Sequence, residues 1–310
     1  MDRASPTVSQ QGSDRIDAKV HIPVLLHEVL ALLDPKPGEL IIDATFGQGG
    51  HSEKILERIG EKGKLIVIDW DWHSLRYVPK VPNVMTLNEN FACIAEVMKS
   101  LQIPRVDGLL LDLGLSSRQL EESGRGFSFK RAEPLLMTYD SFRTPMREVL
   151  RSMGEARLAD VIRTLSGERY AREIARAIKK REKERPIRTS LELAEIIRSA
   201  VPTGYERGRI DPATRTFMAF RIFANKELEN LEKVLKNLPR ILRPGGRVAI
   251  ISFHSGEDRL VKKYFQEYAR EKKMKIITKK PIVPGEEEIK QNPRARSAKL
   301  RGVYMNEYLL

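Results

Sequence analysis

The chain has a single cysteine in 310 residues, Cys93, so it can build no internal disulfide framework and no cysteine-rich metal site. It also lacks any apolar run near the roughly 20 residues that a membrane-crossing helix needs. A cytoplasmic protein with no membrane partner is the expectation. Residues 1–20 contain no apolar segment of the kind an export signal carries and are expected to form a disordered tail. No internal repeat is visible. A balance of charge is missing as well. Lys and Arg number 55 against 42 Asp and Glu, a net charge of +13 with a pI near 9.7. The basic residues are clustered, and that points to a polyanionic partner, nucleic acid first.

What is present centres on Leu40-Ile41-Ile42-Asp43-Ala44-Thr45-Phe46-Gly47-Gln48-Gly49-Gly50-His51-Ser52. An apolar run ends in an acid, a glycine-rich turn follows, and Glu53 to Arg58 reads as a helix. This is a buried strand feeding a helix through a loop where backbone approaches a ligand closely. Twenty residues beyond Gly49, a second acid, Asp69, closes the apolar run Leu65-Ile66-Val67-Ile68. A carboxylate there can accept hydrogen bonds from both ribose hydroxyls of a nucleoside. The pattern fits NAD and S-adenosylmethionine alike, and two details favour the methyl donor. The dinucleotide fingerprint wants Gly or Ala where this chain has Ser52. Asp43 would repel a pyrophosphate but attract a methionine ammonium.

Strands predicted at Leu40–Asp43, at the run closed by Asp69, at 83–87 and at Val106–Asp112 alternate with helices, the first helix over 21–33. The expectation is a parallel, doubly wound α/β sheet whose ligands sit at the carboxyl ends of its strands. Between about 120 and 210 the strand signal disappears. Helices are predicted at 156–165, 169–183 and 190–200, the last with a capping-box start at Thr189 and Glu192. Asp211 and Pro212 then open one long helix with Phe217, Phe220, Leu228, Leu231 and Leu235 on its buried side. A Pro-Gly-Gly turn at 242–247 leads into a strand at 248–253, a last helix spans 256–273, and strands follow at 275–278 and 303–308. The predicted domains are 21–119 with 211–310 for the sheet, and 120–210 for an inserted helical domain that recognises the substrate.

Seven stretches, in order, resemble one family, the bacterial 16S ribosomal RNA cytosine-N4 methyltransferases. They are His21-Ile22-Pro23-Val24-Leu25-Leu26, Gly47 to Ser52, Asp112-Leu113-Gly114-Leu115-Ser116-Ser117-Arg118-Gln119-Leu120 and Arg125-Gly126-Phe127-Ser128-Phe129. Pro212-Ala213-Thr214-Arg215, Phe253-His254-Ser255 with Glu257-Asp258-Arg259, and Asn292-Pro293-Arg294-Ala295-Arg296-Ser297 complete the set. The resemblance implies a class I methyltransferase with a mostly parallel seven-stranded sheet. It implies S-adenosylmethionine as cofactor, held by Gly49, Gly50, His51, Asp69, Phe91, Asp112 and Gln119. The implied substrate is a cytidine in the decoding centre of 16S ribosomal RNA, met as RNA or as the small ribosomal subunit. Arg215 and Asn292 fall on the matching stretches and join the substrate-side candidates. The oligomeric state is left open, a homodimer included.

The chain also departs from the family pattern. Where the family's lid segment reads Pro-Leu-Asp-Met-Arg-Met-Asp, this chain has Pro134-Leu135-Leu136-Met137-Thr138-Tyr139-Asp140. Met218 replaces a glutamine, Gly256 a leucine, and Asp69-Trp70-Asp71-Trp72 stands for Asp-Arg-Asp-Pro.

N-methylation of cytosine needs the amine held in line with the methyl group, its lone pair drawn out by acceptors, and its proton taken. Asp112, ending the fourth strand, is the catalytic candidate, either accepting from the target amine or holding the cofactor. Cys93 lacks the Pro-Cys setting of a C5-attacking nucleophile. His254 and Ser255, at a strand tip, can orient the base, and without partner ligands His254 suggests no metal. Arg294, Arg296, Lys299 and Arg301 suit phosphate contacts. Two other readings remain: a relative that binds RNA or ribosomal subunits with retargeted or lost transfer, motivated by Leu136, Thr138 and Met218, and an NAD oxidoreductase.

Overall fold

A computed structural model of the chain describes residues 22–307 apart from 122, 141 and 209. The tail expected at 1–20 and the final position of the strand expected at 303–308 lie outside the described residues.

Seven strands share one sheet: β1 (Leu40–Asp43), β2 (Lys64–Ile68), β3 (Val84–Leu87), β4 (Val106–Asp112), β5 (Leu242–Ser252), β6 (Met274–Ile276) and β7 (Lys299–Met305). Their order is β3-β2-β1-β4-β5-β7-β6. β1 to β5 run parallel, and β7 lies antiparallel between β5 and β6. This is the doubly wound, mostly parallel sheet expected. The order turns back between β1 and β4, which opens the crevice where such sheets hold ligands. Asp43 and Asp112 end the two strands flanking it.

The strands read as continuous apolar runs because both faces are covered. Ile42, Leu109, Leu111 and Ile250 pack beneath helices Glu227–Ile241 and Ser255–Arg270, while Ile41, Leu65, Leu110 and Ile251 pack beneath Leu26–Leu33 and Gly50–Ile59. Ile41 and Ile42 are both fully buried, each stabilising the sheet by about 2–3 kcal/mol. Helices Glu155–Ser166, Ala171–Glu184 and Ser190–Ser199 enclose a separate core, with Leu158, Ile174 and Ile197 at its centre. The capping box at Thr189 and Glu192 is present. Among the described residues no helix is long and apolar enough to cross a membrane.

The long helix expected after Pro212 is two helices, Ala213–Asn225 and Glu227–Ile241, broken at Lys226, whose φ is +52°. The apolar spacing continues across the break, but its halves serve different cores. Phe217 and Phe220 pack among the inserted helices, Leu231 and Leu235 against the sheet. Asn225, fully buried, turns toward the segment before the inserted helices. Its amide donates to the Met137 carbonyl at 2.8 Å and its oxygen accepts from the Tyr139 N–H at 2.9 Å.

Two further expectations are corrected. The turn at 242–247 is absorbed into β5 as a bulge: Val106 pairs with Leu242 but Gly108 with Arg247, and Gly245 takes φ +75°. The helix expected to be last ends at Arg270, and a short helix, Glu286–Gln291, and a 3-10 turn, Pro293–Ser297, follow β6.

Candidate functional site

The turn after β1 runs along the floor of a cleft at the carboxyl edge of the sheet. Gly49 has φ +82°, and a Cβ there would come within 2.6 Å of the Phe46 ring; one on Gly50 would meet Pro23 Cγ at 2.3 Å. The chain thus passes where no side chain fits, and the backbone faces the cleft. Beneath it lie two buried acids. Asp43 Oδ2 accepts from the Ser52 hydroxyl at 2.6 Å and Oδ1 from the Thr45 N–H at 3.1 Å. Burial pushes its carboxyl up to about 6 despite those bonds. Asp69, at the end of β2, accepts from the N–H groups of Gly47 and Asp71, both at 2.8 Å. Burial pushes it up to about 7, with the Asp71 and Asp43 charges adding to the rise.

Asp112 closes β4 on the opposite wall, its N–H donating to the Thr45 hydroxyl at 2.6 Å. Burial first, then the charges of Asp43 and Glu257, hold its carboxyl well above the usual range. His51 Nδ1 stands 3.7 Å from Asp112 Oδ2. His51 Nε2 lies 3.0 Å from the Val24 carbonyl, an acceptor, so the neutral ring carries its proton on Nε2 and turns the Nδ1 lone pair to Asp112. Phe91 lies on a 3-10 turn opened by Asn90, whose side chain accepts from the Ala92 N–H at 2.9 Å. Gln119, buried, donates to Asp71 Oδ2 at 3.3 Å and accepts from the Ser116 N–H at 3.0 Å. All seven cofactor-side candidates, Gly49, Gly50, His51, Asp69, Phe91, Asp112 and Gln119, line one cleft.

Trp70, Tyr139, Glu227, Asn230 and Glu257 line it too, and sequence reading did not single them out as site residues. Tyr139 packs 5.5 Å from Trp70, ring centre to ring centre, and its hydroxyl donates to Glu227 Oε1 at 2.9 Å. Burial and the Glu227 charge raise that phenol well above its ordinary value. Glu227 is also held by Arg221 through two hydrogen bonds of 2.8 Å. Burial would raise Glu257, but His254, Arg221 and the Phe253 N–H outweigh it and hold the carboxyl below the usual value. One local signal did exist: Glu257 stands three residues after His254, the capping-box spacing.

On the substrate side, Asn292 and Arg294 line the cleft. Asn292 caps the 293–297 turn by accepting from the Arg294 N–H at 3.2 Å, and Arg294 pairs with Glu121. Arg296 is exposed on the same turn. Arg215 lies away from the cleft, paired with Glu206 and hydrogen-bonded to the Tyr205 hydroxyl at 3.0 Å. Ser255 is exposed at the start of its helix, and the His254 ring caps that helix, Nδ1 accepting from Gly256 N–H at 3.1 Å and Glu257 N–H at 3.4 Å. Arg301, grouped with the phosphate-binding arginines by sequence, is corrected: it is buried in β7 and bonded to Asp258 at 2.7 Å. Glu227, His254 and Glu257 bring three ligand-type atoms within 4.8 Å. With Nδ1 accepting two N–H groups, the neutral ring's proton sits on Nε2, which leaves no lone pair there for a cation.

The cleft fits a nucleoside carrying a cationic tail. The glycine turn leaves room there, the carboxyls of Asp43 and Asp69 put negative charge beneath it, and Asp112 Oδ1 is buried without a hydrogen-bond partner.

The profile of the MraW methylase family matches residues 18–305. Among curated proteins, the ribosomal RNA small subunit methyltransferase H of Halothermothrix orenii is 41% identical over 301 residues, 91% of this chain and 97% of that protein. Its counterpart in Geotalea daltonii is 42% identical over 304 residues, with the same coverage. A solved rRNA methylase from Streptococcus thermophilus overlays 93% of this chain and 99% of its own at TM-score 0.43 and 9% identity, too distant to bear on the site.

Proposed function

The chain belongs to the MraW methylase family, and from that premise we propose that it methylates the N4 amine of a cytidine in the decoding centre of 16S ribosomal RNA, in the cytoplasm. S-adenosylmethionine is the methyl donor and supplies an electrophilic methyl group on a sulfonium sulfur. The observation that carries the reading is the joining of Gly49, Gly50, His51, Asp69, Phe91, Asp112 and Gln119 around one cleft in a chain some 41% identical to a protein named for small-subunit RNA methylation.

In this reading Asp69 would accept from the ribose hydroxyls, and Asp43, buried beneath the turn, would act on the ammonium through its charge alone. Phe91 packs beside the adenine, and the Gly49–Gly50 backbone borders the methionine end. The orphan Asp112 Oδ1 accepts an N–H of the target amine, which draws its lone pair toward the methyl group. Asp112 then passes the released proton toward His51 Nδ1, which Val24 keeps as an acceptor. Glu257 holds its charge across the cleft, and the positive charge of a bound donor would favour the ionised form of Asp112, whose raised proton affinity then suits it to take the proton of the amine.

Binding of the donor favours the charged forms of Asp43 and Asp69, so it releases protons. Affinity is expected to rise with pH through about 6 and 7 and then level, with a slope of up to about tenfold per pH unit for each proton released. The sign for stability is opposite. Folded-state values above the ordinary one contribute stability that is fully present below about pH 4 and is lost as pH rises through 6 and 7. The rise in melting midpoint on adding donor should therefore be larger at pH 8 than at pH 6. Calorimetry and thermal scans at both pH values check this, and a flat affinity would remove the ionised acids from the binding scheme.

The deciding assay is tritium transfer from labelled S-adenosylmethionine to small ribosomal subunits that lack their methylations, followed by nucleoside analysis. Label in N4-methylcytidine is the expected result. The altered lid supports a second reading, because Tyr139 of that segment lines the cleft: RNA binding with retargeted or lost transfer. That reading expects donor binding without this product.

A further inference from the structure

Beside the cleft lies a second recess, and we propose that it seats a phosphodiester of the RNA strand close to the target nucleotide. The inference rests on the reading that RNA is the substrate. The recess adjoins the cleft across two shared wall residues, Ser116 and Gln119. A group held in it is therefore one short reach from a base presented to the methyl donor.

Its other walls bring Arg76, Arg118 and Arg125 together with His73. Among the described residues Asp71 is the acid lining it, and both of its oxygens accept hydrogen bonds. Oδ1 accepts from the His73 N–H at 3.2 Å and Oδ2 from the Gln119 amide at 3.3 Å. Arg125 donates to the Tyr139 carbonyl at 2.5 Å, and three guanidinium groups against one carboxyl among the described lining residues form the complement of a phosphate rather than of an amine. Ser74 and Ser123 add hydroxyls to the same walls.

Aromatic packing organises the cations. The Arg76 guanidinium lies 4.0 Å over the Trp72 ring and that of Arg118 4.3 Å over Tyr77. Stacked guanidinium groups are held in place before the ligand arrives, so less freedom is lost when the phosphate binds. Trp72 is 47% and Tyr77 56% exposed, far more than rings used only for packing. Exposed rings beside stacked arginines match the platforms on which single-stranded nucleic acid rests, its backbone on the cations and an unpaired base on a ring. A target base drawn out of its stack leaves its neighbours unpaired next to such a surface.

The test uses the full chain with Arg76→Gln, Arg118→Gln and the double variant, and a 16S RNA fragment covering the decoding region. Filter binding is measured from low to moderate salt, with S-adenosylmethionine affinity measured in parallel. The double variant is expected to bind RNA about tenfold more weakly, and its salt slope should fall by about 0.7 for each single-strand phosphate that it no longer neutralises. Donor affinity and melting midpoint should match those of the parent. Unchanged RNA affinity and slope in the double variant would overturn the inference while leaving the proposed function intact. Equal losses of donor and RNA affinity would overturn it too, since the recess would then only support the cleft. Inorganic phosphate or AMP whose binding falls while RNA binding holds would assign the recess to a free phosphate instead. A parent chain that binds no RNA would sink the RNA reading itself, and this inference with it.

Discussion

Asp112→Asn is expected to slow methyl transfer by roughly a hundredfold to ten-thousandfold, the span usual for loss of a positioned proton acceptor, with S-adenosylmethionine affinity held within about threefold. The amide keeps the shape of the carboxyl and one acceptor oxygen, so the target amine can still be met at the end of β4. It cannot take up the proton that the amine must shed, and it breaks the path to His51 Nδ1, 3.7 Å away. The Asp112 N–H is bonded to the Thr45 hydroxyl of the turn after β1, a backbone bond that the exchange keeps, so that turn should stay intact. Single-turnover transfer at saturating donor separates the two duties open to this residue. A lost rate with retained affinity assigns proton transfer. Lost affinity with an unchanged saturated rate would make Asp112 a cofactor holder and move the proton acceptor elsewhere.

Asp69→Ala should have the largest effect on donor binding. Two hydrogen bonds from ribose hydroxyls to a charged acceptor are worth about 1.5–3 kcal/mol each, so affinity is expected to fall by at least about a hundredfold, with most of the pH dependence above pH 6 removed along with the carboxyl. The effect on folding is the sum of opposing terms. The variant discards a buried carboxyl whose burial raises it to about 7, and it also strands the N–H groups of Gly47 and Asp71. Asp69→Asn is the companion variant, because it retains an acceptor for part of that backbone. Affinity close to the parent's in Asp69→Ala would exclude the ribose assignment outright.

The readable parts of this protein are those fixed by short-range rules. Apolar runs closed by Asp43, Asp69 and Asp112 marked three strand ends because a strand buried on both faces excludes charge until it reaches the crevice. Thr189 and Glu192 announced a helix start because both partners of the capping box are three residues apart. The break at Lys226 left no such mark. Leu228 and Leu231 continue the period of Phe217 and Phe220, and only the tertiary bonds of Asn225 to Met137 and Tyr139 decide that the chain turns there. The cleft shows the same division. The glycine turn declared itself, whereas Trp70 and Tyr139 are 69 positions apart in sequence and meet at 5.5 Å. Arg301 read as a surface cation because its partner, Asp258, is 43 residues away.

The placement of β7 also bears on how the protein is made. Of the seven strands it comes last in the chain, yet it sits inside the sheet, pairing with β5 along six residues on one side and with β6 on the other. Until it inserts, β5 has an open edge, and the apolar row Val248 to Ile251 is a template for pairing with another chain. The parallel strands β1 to β5 can assemble during synthesis, but the sheet cannot close before residues 299–305 emerge. The slow, aggregation-prone interval of folding thus lasts until β7 has paired with β5. A nascent copy that already holds the glycine turn and its acids still lacks the strand that joins β6 to the rest of the sheet.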